Sequence, residues 1–316
     1  MFKRILFATD FSPHANAARQ MAMKLAQADG KRLWVLTVLE PVDEPLKMTD
    51  EPPEIPRRKW EKMLQKEEQQ LERNRDAALA TAVAEMEAAG INVTRMVKEG
   101  DPDRQIVAAA EEIDADLIVI GSHSRRTLWD VVLGSVAAKV AEHAPCPVLI
   151  VSHKPPHPDI ASERILFATD FSPHAEMAQN VAFTLAKEAG QQHLWVMAVI
   201  KPGDELPMLP GFVVEVDDGA VYELAAELRD EVEKKVRAKL AEIESAAQEY
   251  GITAETLIKH GYPDKEIVKT AIDMEADMIV LGSHSRRGIL DVLLGNTAES
   301  VSRKAPCPVL VVSHKN

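Results

Sequence analysis

One carboxylate and one glycine of the first half of the chain recur at matching places in the second half, and together they suit a phosphorylated ligand. Asp10 ends a short apolar run in the first half, and Asp170 ends the same run in the second. A carboxylate accepts hydrogen bonds, so each could hold a ribose or an adenine base. Gly121 and Gly282 end a later, strongly apolar run, where a glycine lets the backbone approach a ligand closely.

A second glycine follows each of these at a fixed distance. The first half reads Gly-x2-Ser-x9-Gly-Ser up to Ser135, and the second reads Gly-x2-Ser-x9-Gly-Asn up to Asn296. Gly134 and Gly295 therefore introduce a predicted helix, whose first N–H groups carry partial positive charge and suit a phosphate. Arg125, in the loop before that helix, could offset phosphate charge.

These segments belong to a long internal repeat. Residues 5–15 return letter for letter as residues 165–175. At 316 residues, a prior of about 150 residues per domain gives two domains. We therefore predict a first domain over residues 1–153, a proline-rich linker over 154–163 and a second domain over 164–316.

Each copy alternates strand and helix patterns. Short apolar runs predict buried strands, and apolar residues at helical spacing predict helices between them. The strands predicted in the first copy are Arg4–Thr9, Leu33–Leu39, Ile91–Lys98, Asp116–Ile120 and Pro147–Val151. The predicted helices start at Ser12-Pro13, Lys59, Asp101-Pro102 and Ser135, and residues 40–58 are predicted to form a loop. This order predicts two tandem α/β domains, each a doubly wound, five-stranded parallel sheet that binds ligands where the strand order reverses.

Composition argues against several classes of function. The formal net charge of −13 discourages binding to nucleic acid or to an anionic membrane, so a bound anion needs local geometry. No apolar run reaches the roughly 18 residues of a membrane span, and the start leads straight into a strand rather than a signal peptide. We expect a cytoplasmic chain. Cys146 and Cys307 occupy equivalent positions, which indicates small buried residues rather than a disulfide framework.

The repeated segments Thr-Asp-Phe-Ser and Ala-Pro-Cys-Pro-Val-Leu, with the glycine pattern between them, resemble the universal stress proteins in their tandem two-domain form. The resemblance covers nearly all of both copies and implies a Rossmann-like fold of the adenine-nucleotide-binding type. It implies ATP, ADP or AMP as ligand, with Mg²⁺ as an optional companion. Asp10 would hold the adenosine end, and the backbone of Val38 would meet the base. Gly121 would border the phosphate loop, with Gly134 and Ser135 at the phosphates.

The resemblance also extends the site to neighbouring residues and to the second copy. Thr9, Ser124, Arg125 and Val136 complete the expected set in the first copy. The matching positions of the second copy are Asp170, Val199, Gly282, Ser285, Gly295 and Asn296. Family members dimerise through the last strand, which implies intramolecular pairing of the two copies here, with further homodimerisation left open.

Two departures from the family signature, Gly-x2-Gly-x9-Gly-Ser/Thr, bear on affinity. Ser124 and Ser285 replace its second glycine. If that position needs a positive φ, serine costs about 1–2 kcal/mol, roughly a 5- to 30-fold loss of affinity. Asn296 replaces the final Ser/Thr of the second copy, and its longer side chain could crowd a phosphate. We expect the first copy to be the better nucleotide site.

Simpler interpretations of the same residues stay open. Asp10 and Asp170 could cap the helices that follow them, the glycines could serve tight turns, and Arg125 could be a solvated loop residue. His14 and His123 could form a metal pair, although no third ligand accompanies them at a useful spacing.

Three functions follow from the sequence. The first is a stress-response protein that binds an adenine nucleotide and acts in regulation or protection rather than metabolism. The second is a nucleotide-independent scaffold or protective protein. The third is a slow ATPase, for which the sequence offers no Walker lysine and no designated catalytic residue.

Overall fold

The strands and helices of both copies follow the predicted order. The computed structural model describes residues 2–12, 15–27, 30–39, 57–122, 133–152, 164–190, 193–202, 218–283 and 294–313. The first copy contains β1 (Arg4–Ala8), α1 (Ala15–Ala26), β2 (Arg32–Leu39), α2 (Arg57–Ala88), β3 (Val93–Glu99), α3 (Pro102–Glu112), β4 (Leu117–Gly121), α4 (Ser135–His143) and β5 (Val148–Val151). The second contains β6 (Ile165–Thr169), α5 (Pro173–Glu188), β7 (His193–Ile200), α6 (Asp218–Glu249), β8 (Thr253–His260), α7 (Pro263–Asp273), β9 (Met278–Gly282), α8 (Asn296–Lys304) and β10 (Val309–Val312).

The predicted element bounds agree with the structure to within about two residues. The helix predicted to start at Ser135 does so and spans Ser135–His143. The strand predicted over Ile91–Lys98 spans Val93–Glu99 instead, because the chain enters it from the turn that ends α2. The predicted linker and most of the predicted loop over residues 40–58 lie outside the described residues.

The described strands form one ten-stranded sheet in the order β3-β2-β1-β4-β5-β10-β9-β6-β7-β8. Within each copy all neighbours are parallel, and β1 and β4 lie side by side at the centre. β3 is at one edge of the sheet, a position that suits its alternation of apolar with polar residues, which include Arg95.

The two copies meet at one antiparallel strand pair. β5 pairs with β10, with Leu149 opposite Leu310 and Val148 opposite Val311. Every residue of both strands is buried. Ser313 adds a hydrogen bond across the joint, donating from Oγ to the carbonyl of Ala144 at 3.1 Å. The joint is therefore a continuous part of the sheet and of the core.

Helices cover both faces of the sheet, as the apolar strands require. α1, α2, α5 and α6 contribute to the core on one face, and α3, α4, α7 and α8 contribute to the core on the other. α3 illustrates the local logic: Pro102 occupies its first turn, and Ile106, Ala109 and Ala110 form its buried stripe. Within the described ranges, no helix combines the length and apolar character needed to span a bilayer.

A carboxylate joins β1 to β4 at their amino ends. Asp116 accepts hydrogen bonds from the backbone N–H groups of Lys3 and Arg4, at 3.0 and 2.9 Å, and from the Arg4 guanidinium at 3.1 Å. In the second copy, Asp277 accepts a hydrogen bond from the Arg164 backbone N–H at 3.0 Å and lies 3.6 Å from the Arg164 guanidinium. Burial raises the pKa of Asp116, but the hydrogen bonds from the Arg4 guanidinium and from the two backbone N–H groups outweigh it and leave that pKa below its usual value.

We expect Asp116→Asn to lower Tm at pH 7 by about 2–4 °C, because Asn keeps an acceptor oxygen and loses only the charge, a cost of about 1 kcal/mol in a domain of this length. Because the folded-state pKa is lowered, the stabilisation is complete above the unfolded pKa of about 3.9 and is lost as pH falls through the lower folded value. Thermal unfolding of both proteins from pH 7 down to pH 2.5 measures this.

The matched control is Asp76→Asn, which breaks the Arg95 ion pair on an exposed surface. Such a pair contributes little, so this variant should unfold within about 1 °C of the parent at every pH. A Tm difference for Asp116→Asn that persists unchanged at pH 2.5 would contradict the assignment.

Both cysteines are buried, with 7% of their surface exposed. Burial raises the pKa of the Cys307 thiol to about 12, and the nearby Asp277 carboxylate adds to the increase. Since the thiolate is the reactive form, we expect an aromatic disulfide reagent at pH 8 to modify the folded chain at least about 100-fold more slowly than the urea-unfolded chain. Modification of Cys307 at the unfolded rate, located by mass spectrometry, would contradict this.

Candidate functional site

The strand order reverses between β1 and β4, the position at which open parallel sheets leave a crevice. α1 leaves the end of β1 toward one face of the sheet, and α4 follows β4 on the other face. The first turns of the two helices therefore diverge above two adjacent strand ends, which is where open parallel sheets bind ligands. β6 and β9 create the same arrangement in the second copy.

A tight turn after β1 presents Asp10 at this crevice. The Thr9 N–H donates to the carbonyl of Leu36 at 2.9 Å, which continues the β1–β2 ladder by one residue. The Thr9 hydroxyl oxygen accepts from the Phe11 N–H at 3.0 Å, and Oδ1 of Asp10 accepts from the Ser12 N–H at 2.9 Å. Two consecutive side chains therefore fix the turn, and no described residue donates to Oδ2 of Asp10.

The second copy repeats the turn after β6. Thr169 Oγ1 accepts from Phe171 N–H, and Asp170 Oδ1 accepts from Ser172 N–H, both at 3.0 Å. Ser172 is the N-cap of α5, and its hydroxyl accepts from the Ala175 N–H at 3.2 Å. The helix cap is thus Ser172, as the Ser-Pro pattern predicts, and the carboxylate of Asp170 holds the turn before it.

The opposite wall of the crevice is the start of α4. Gly134 is its N-cap, in ordinary extended backbone at φ −60° and ψ 137°. The Gly134 N–H donates to the carbonyl of Ser122 at 2.7 Å, and its carbonyl accepts from Ala138 N–H at 3.0 Å. The amides left over for a ligand are therefore the next ones, beginning with Ser135 and Val136.

α8 begins in the same way in the second copy. Gly295 is the N-cap at φ −60° and ψ 140°, and its N–H donates to the carbonyl of Ser283 at 2.8 Å. Asn296 is the first residue of that helix and Thr297 the second. The backbone frame is the same in both copies, and the difference lies in the side chains.

Gly282 allows the strand end and the helix start to approach each other. A Cβ atom at this position would lie 2.9 Å from the backbone carbon of His174 and 3.0 Å from the backbone nitrogen of Ala175. Neither backbone atom could move away cheaply. Glycine is therefore required here by close packing of α5 on β9.

Val38 and Val199 lie on the strands beside the Asp-bearing turns. Val38 is half-buried on β2, two residues beyond the Leu36 carbonyl that receives the Thr9 N–H. Val199 holds the equivalent place on β7. The backbone of each valine therefore lies at the carboxyl end of the sheet, on the strand next to the one that leads into Asp10 or Asp170.

The predicted site residues that the structure describes lie at the carboxyl ends of neighbouring strands or at the start of the following helix. They are Thr9, Asp10, Val38, Gly121, Gly134, Ser135 and Val136 in the first copy, and Asp170, Val199, Gly282, Gly295 and Asn296 in the second. Ser124, Arg125 and Ser285 lie outside the described residues, as do His14 and His123.

The sequence did not indicate a role in the site for two pairs of residues. Ser122 and Ser283 receive the N-cap amides through their carbonyls, and Phe11 and Phe171 form the centre of each turn. The only signal for either pair was exact identity between the two copies.

The chain matches known proteins over nearly its whole length. The model of the universal stress protein family matches residues 1–152 and again residues 161–313. A universal stress protein of Methanocaldococcus jannaschii is 35% identical over 158 residues, which cover 49% of this chain and 96% of that protein. One from Thermus aquaticus is 37% identical over 151 residues, covering 48% of this chain and 99% of that protein.

A solved structure reproduces the two-copy fold. The crystal structure of a universal stress protein from Archaeoglobus fulgidus superimposes with a TM-score of 0.69 at 22% identity, covering 100% of this chain and 98% of that one. This likeness shows the fold, and the match of the family model in both halves shows that the chain belongs to the universal stress protein family and carries its domain twice.

Proposed function

We propose that this chain is a stress-response protein that binds ATP or another adenine nucleotide and has a regulatory or protective role. The observation that carries the proposal is the convergence, in each copy, of a turn-held carboxylate and a glycine-capped helix start on adjacent strand ends. The domains we assign to this role are residues 1–153 and 164–316, joined by residues 154–163.

The two walls of the crevice suit the two ends of a nucleotide. The first amides of α4 are unpaired within the helix and carry partial positive charge, so they favour phosphate oxygens. On the other wall, Oδ1 of Asp10 is committed to the Ser12 N–H. Among the described residues none donates to Oδ2, and we assign this oxygen to accept hydrogen bonds from ribose hydroxyls or from the base. The ends of the ligand are thus bound by different chemistry.

Local geometry must provide the attraction, because the net charge of −13 repels a polyphosphate at long range. We therefore expect affinity to depend strongly on the few amides and the carboxylate that line the crevice. No residue of the chain is assigned a hydrolytic role in this proposal, and weak ATP hydrolysis ranks below nucleotide binding.

We propose that the first crevice binds nucleotide better than the second. Ser135 offers a short hydroxyl beside the first free amide of α4, whereas Asn296 places a longer amide side chain at the start of α8. Since both helices have the same backbone cap, the side chain is the difference that a phosphate meets.

The continuous sheet favours a second candidate function. Because β5 and β10 join the copies through a buried strand pair, the chain is also suited to act as a scaffold that needs no nucleotide. Absence of any effect of adenine nucleotides on the chain would favour this candidate.

We expect saturating ATP to raise Tm by several degrees, since ligand at 100 times Kd adds about 2.7 kcal/mol. Gly134→Asp should remove the contribution of the first crevice. The φ and ψ angles of Gly134 are allowed for any residue and Asp is a favourable N-cap, so the substitution places a negative charge at the phosphates; circular dichroism checks that the variant is folded. Differential scanning fluorimetry with and without ATP measures both effects.

Gly295→Asp is the matched control, because it makes the same change in the second copy. It should leave most of the ATP-induced rise intact. An equal loss of the rise in the two variants would contradict the preference for the first crevice, and no rise in the parent chain would contradict nucleotide binding.

Native mass spectrometry should find about one adenine nucleotide per chain at moderate ATP concentration. Asn296→Ser shortens the side chain at the second crevice and should bring the ratio toward two. A ratio of two in the parent would show that Asn296 does not restrict the second site.

A further inference from the structure

Phe11 and Phe171 adopt a backbone conformation that is uncommon for aromatic residues. Their φ angles are +56° and +60°, in the left-handed region that disfavours side chains with a Cβ atom. Among the described residues, the other non-glycine residues with positive φ are Asp114 and Glu275, in the turns after α3 and α7. The phenylalanines are thus the two that stand beside the nucleotide crevices.

This conformation creates the hydrogen bonds that orient the carboxylates. Because the backbone of Phe11 is left-handed, the chain reverses direction there. The Phe11 N–H then reaches the Thr9 hydroxyl oxygen at 3.0 Å, and the Ser12 N–H reaches Oδ1 of Asp10 at 2.9 Å. The second copy shows the same geometry at Phe171. Asp10 therefore points as it does because the residue after it has a positive φ.

Packing of the ring stabilises the unfavourable backbone. Both rings are partly buried and pack against the core of the face that α1 and α5 cover. Phe171 also lies beneath the Lys239 ammonium, 5.1 Å from the ring centroid, a favourable cation–π distance. Position 78 of α2, which corresponds to Lys239, is alanine, so the first copy relies on ring packing without this cation.

We propose that Phe11 and Phe171 are positioning residues for nucleotide binding, acting through backbone conformation rather than through contact between ring and ligand. The proposal rests on the nucleotide-binding function above and adds a determinant of affinity to it. In this proposal, the ring of each phenylalanine packs in the core, and its φ angle orients the carboxylate of the site.

The two possible roles of Phe11 predict opposite orders of affinity among substitutions. If the φ angle matters, residues that tolerate the left-handed region should bind best: Gly and Asn first, then Ala, with β-branched Val last. If only ring packing matters, affinity should follow apolar side-chain volume, with Val best and Gly worst.

The experiment uses the full chain carrying Gly295→Asp, so that only the first crevice binds. ATP affinity is measured by calorimetry for this parent and for its Phe11→Gly, Phe11→Asn, Phe11→Ala and Phe11→Val derivatives. The temperature is one at which circular dichroism shows each variant to be folded. Loss of ring packing should lower Tm for all four, whatever the ligand does.

We expect the Gly and Asn variants to bind within about threefold of the parent, and the Val variant to bind at least about tenfold more weakly, which is about 1.4 kcal/mol. If the Val variant does not fold, the comparison of Asn with Ala decides, with Asn expected at least about threefold tighter. An affinity order that follows side-chain volume, or equal affinity for all four, overturns the positioning role alone. A parent chain that does not bind ATP overturns the proposed function.

Discussion

The parallel pairing of β1 with β4 is the interaction on which the candidate site depends, and β6 repeats it with β9. It places two strand ends side by side whose following helices leave toward opposite faces, so the crevice is a result of topology. Asp116 and Asp277 secure the pair at its far end by holding the backbone of the first strand. The Asp10 turn and the α4 cap then have fixed positions relative to each other.

Comparison of the two copies distinguishes hydrogen bonds that are the same in both from side-chain contacts that differ. Both turns, and the contacts of Gly134 and Gly295 at the starts of α4 and α8, keep their hydrogen-bond lengths to within about 0.1 Å. The α3–α4 contact, by contrast, uses different chemistry: Lys139 lies 3.5 Å from Asp103, while Ser300 and Lys304 both bind Asp264 in the second copy. The frame therefore tolerates change away from the strand ends.

Sequence reasoning predicted the fold well because its signals are local. Apolar runs, the Ser-Pro start of α5 and the glycine before α4 are each sufficient to place an element. Two features of the site could not be predicted. The left-handed φ of Phe11 arises from a turn that tertiary packing stabilises, and phenylalanine does not indicate such a conformation in a sequence. The Gly134 N–H donates to the carbonyl of Ser122, a contact between residues far apart in the chain. The first N–H available to a ligand is therefore that of Ser135, one residue further into α4.

The β5–β10 pair joins two halves of a single polypeptide, so substitutions can accumulate in one half without changing the other. In a symmetric homodimer, one substitution alters both subunits at once. Here the halves are held together at a local concentration that dilution cannot reduce, and each half has its own codons. One copy is consequently free to diverge while the other is kept unchanged, and Ser135 of the first copy and Asn296 of the second already differ.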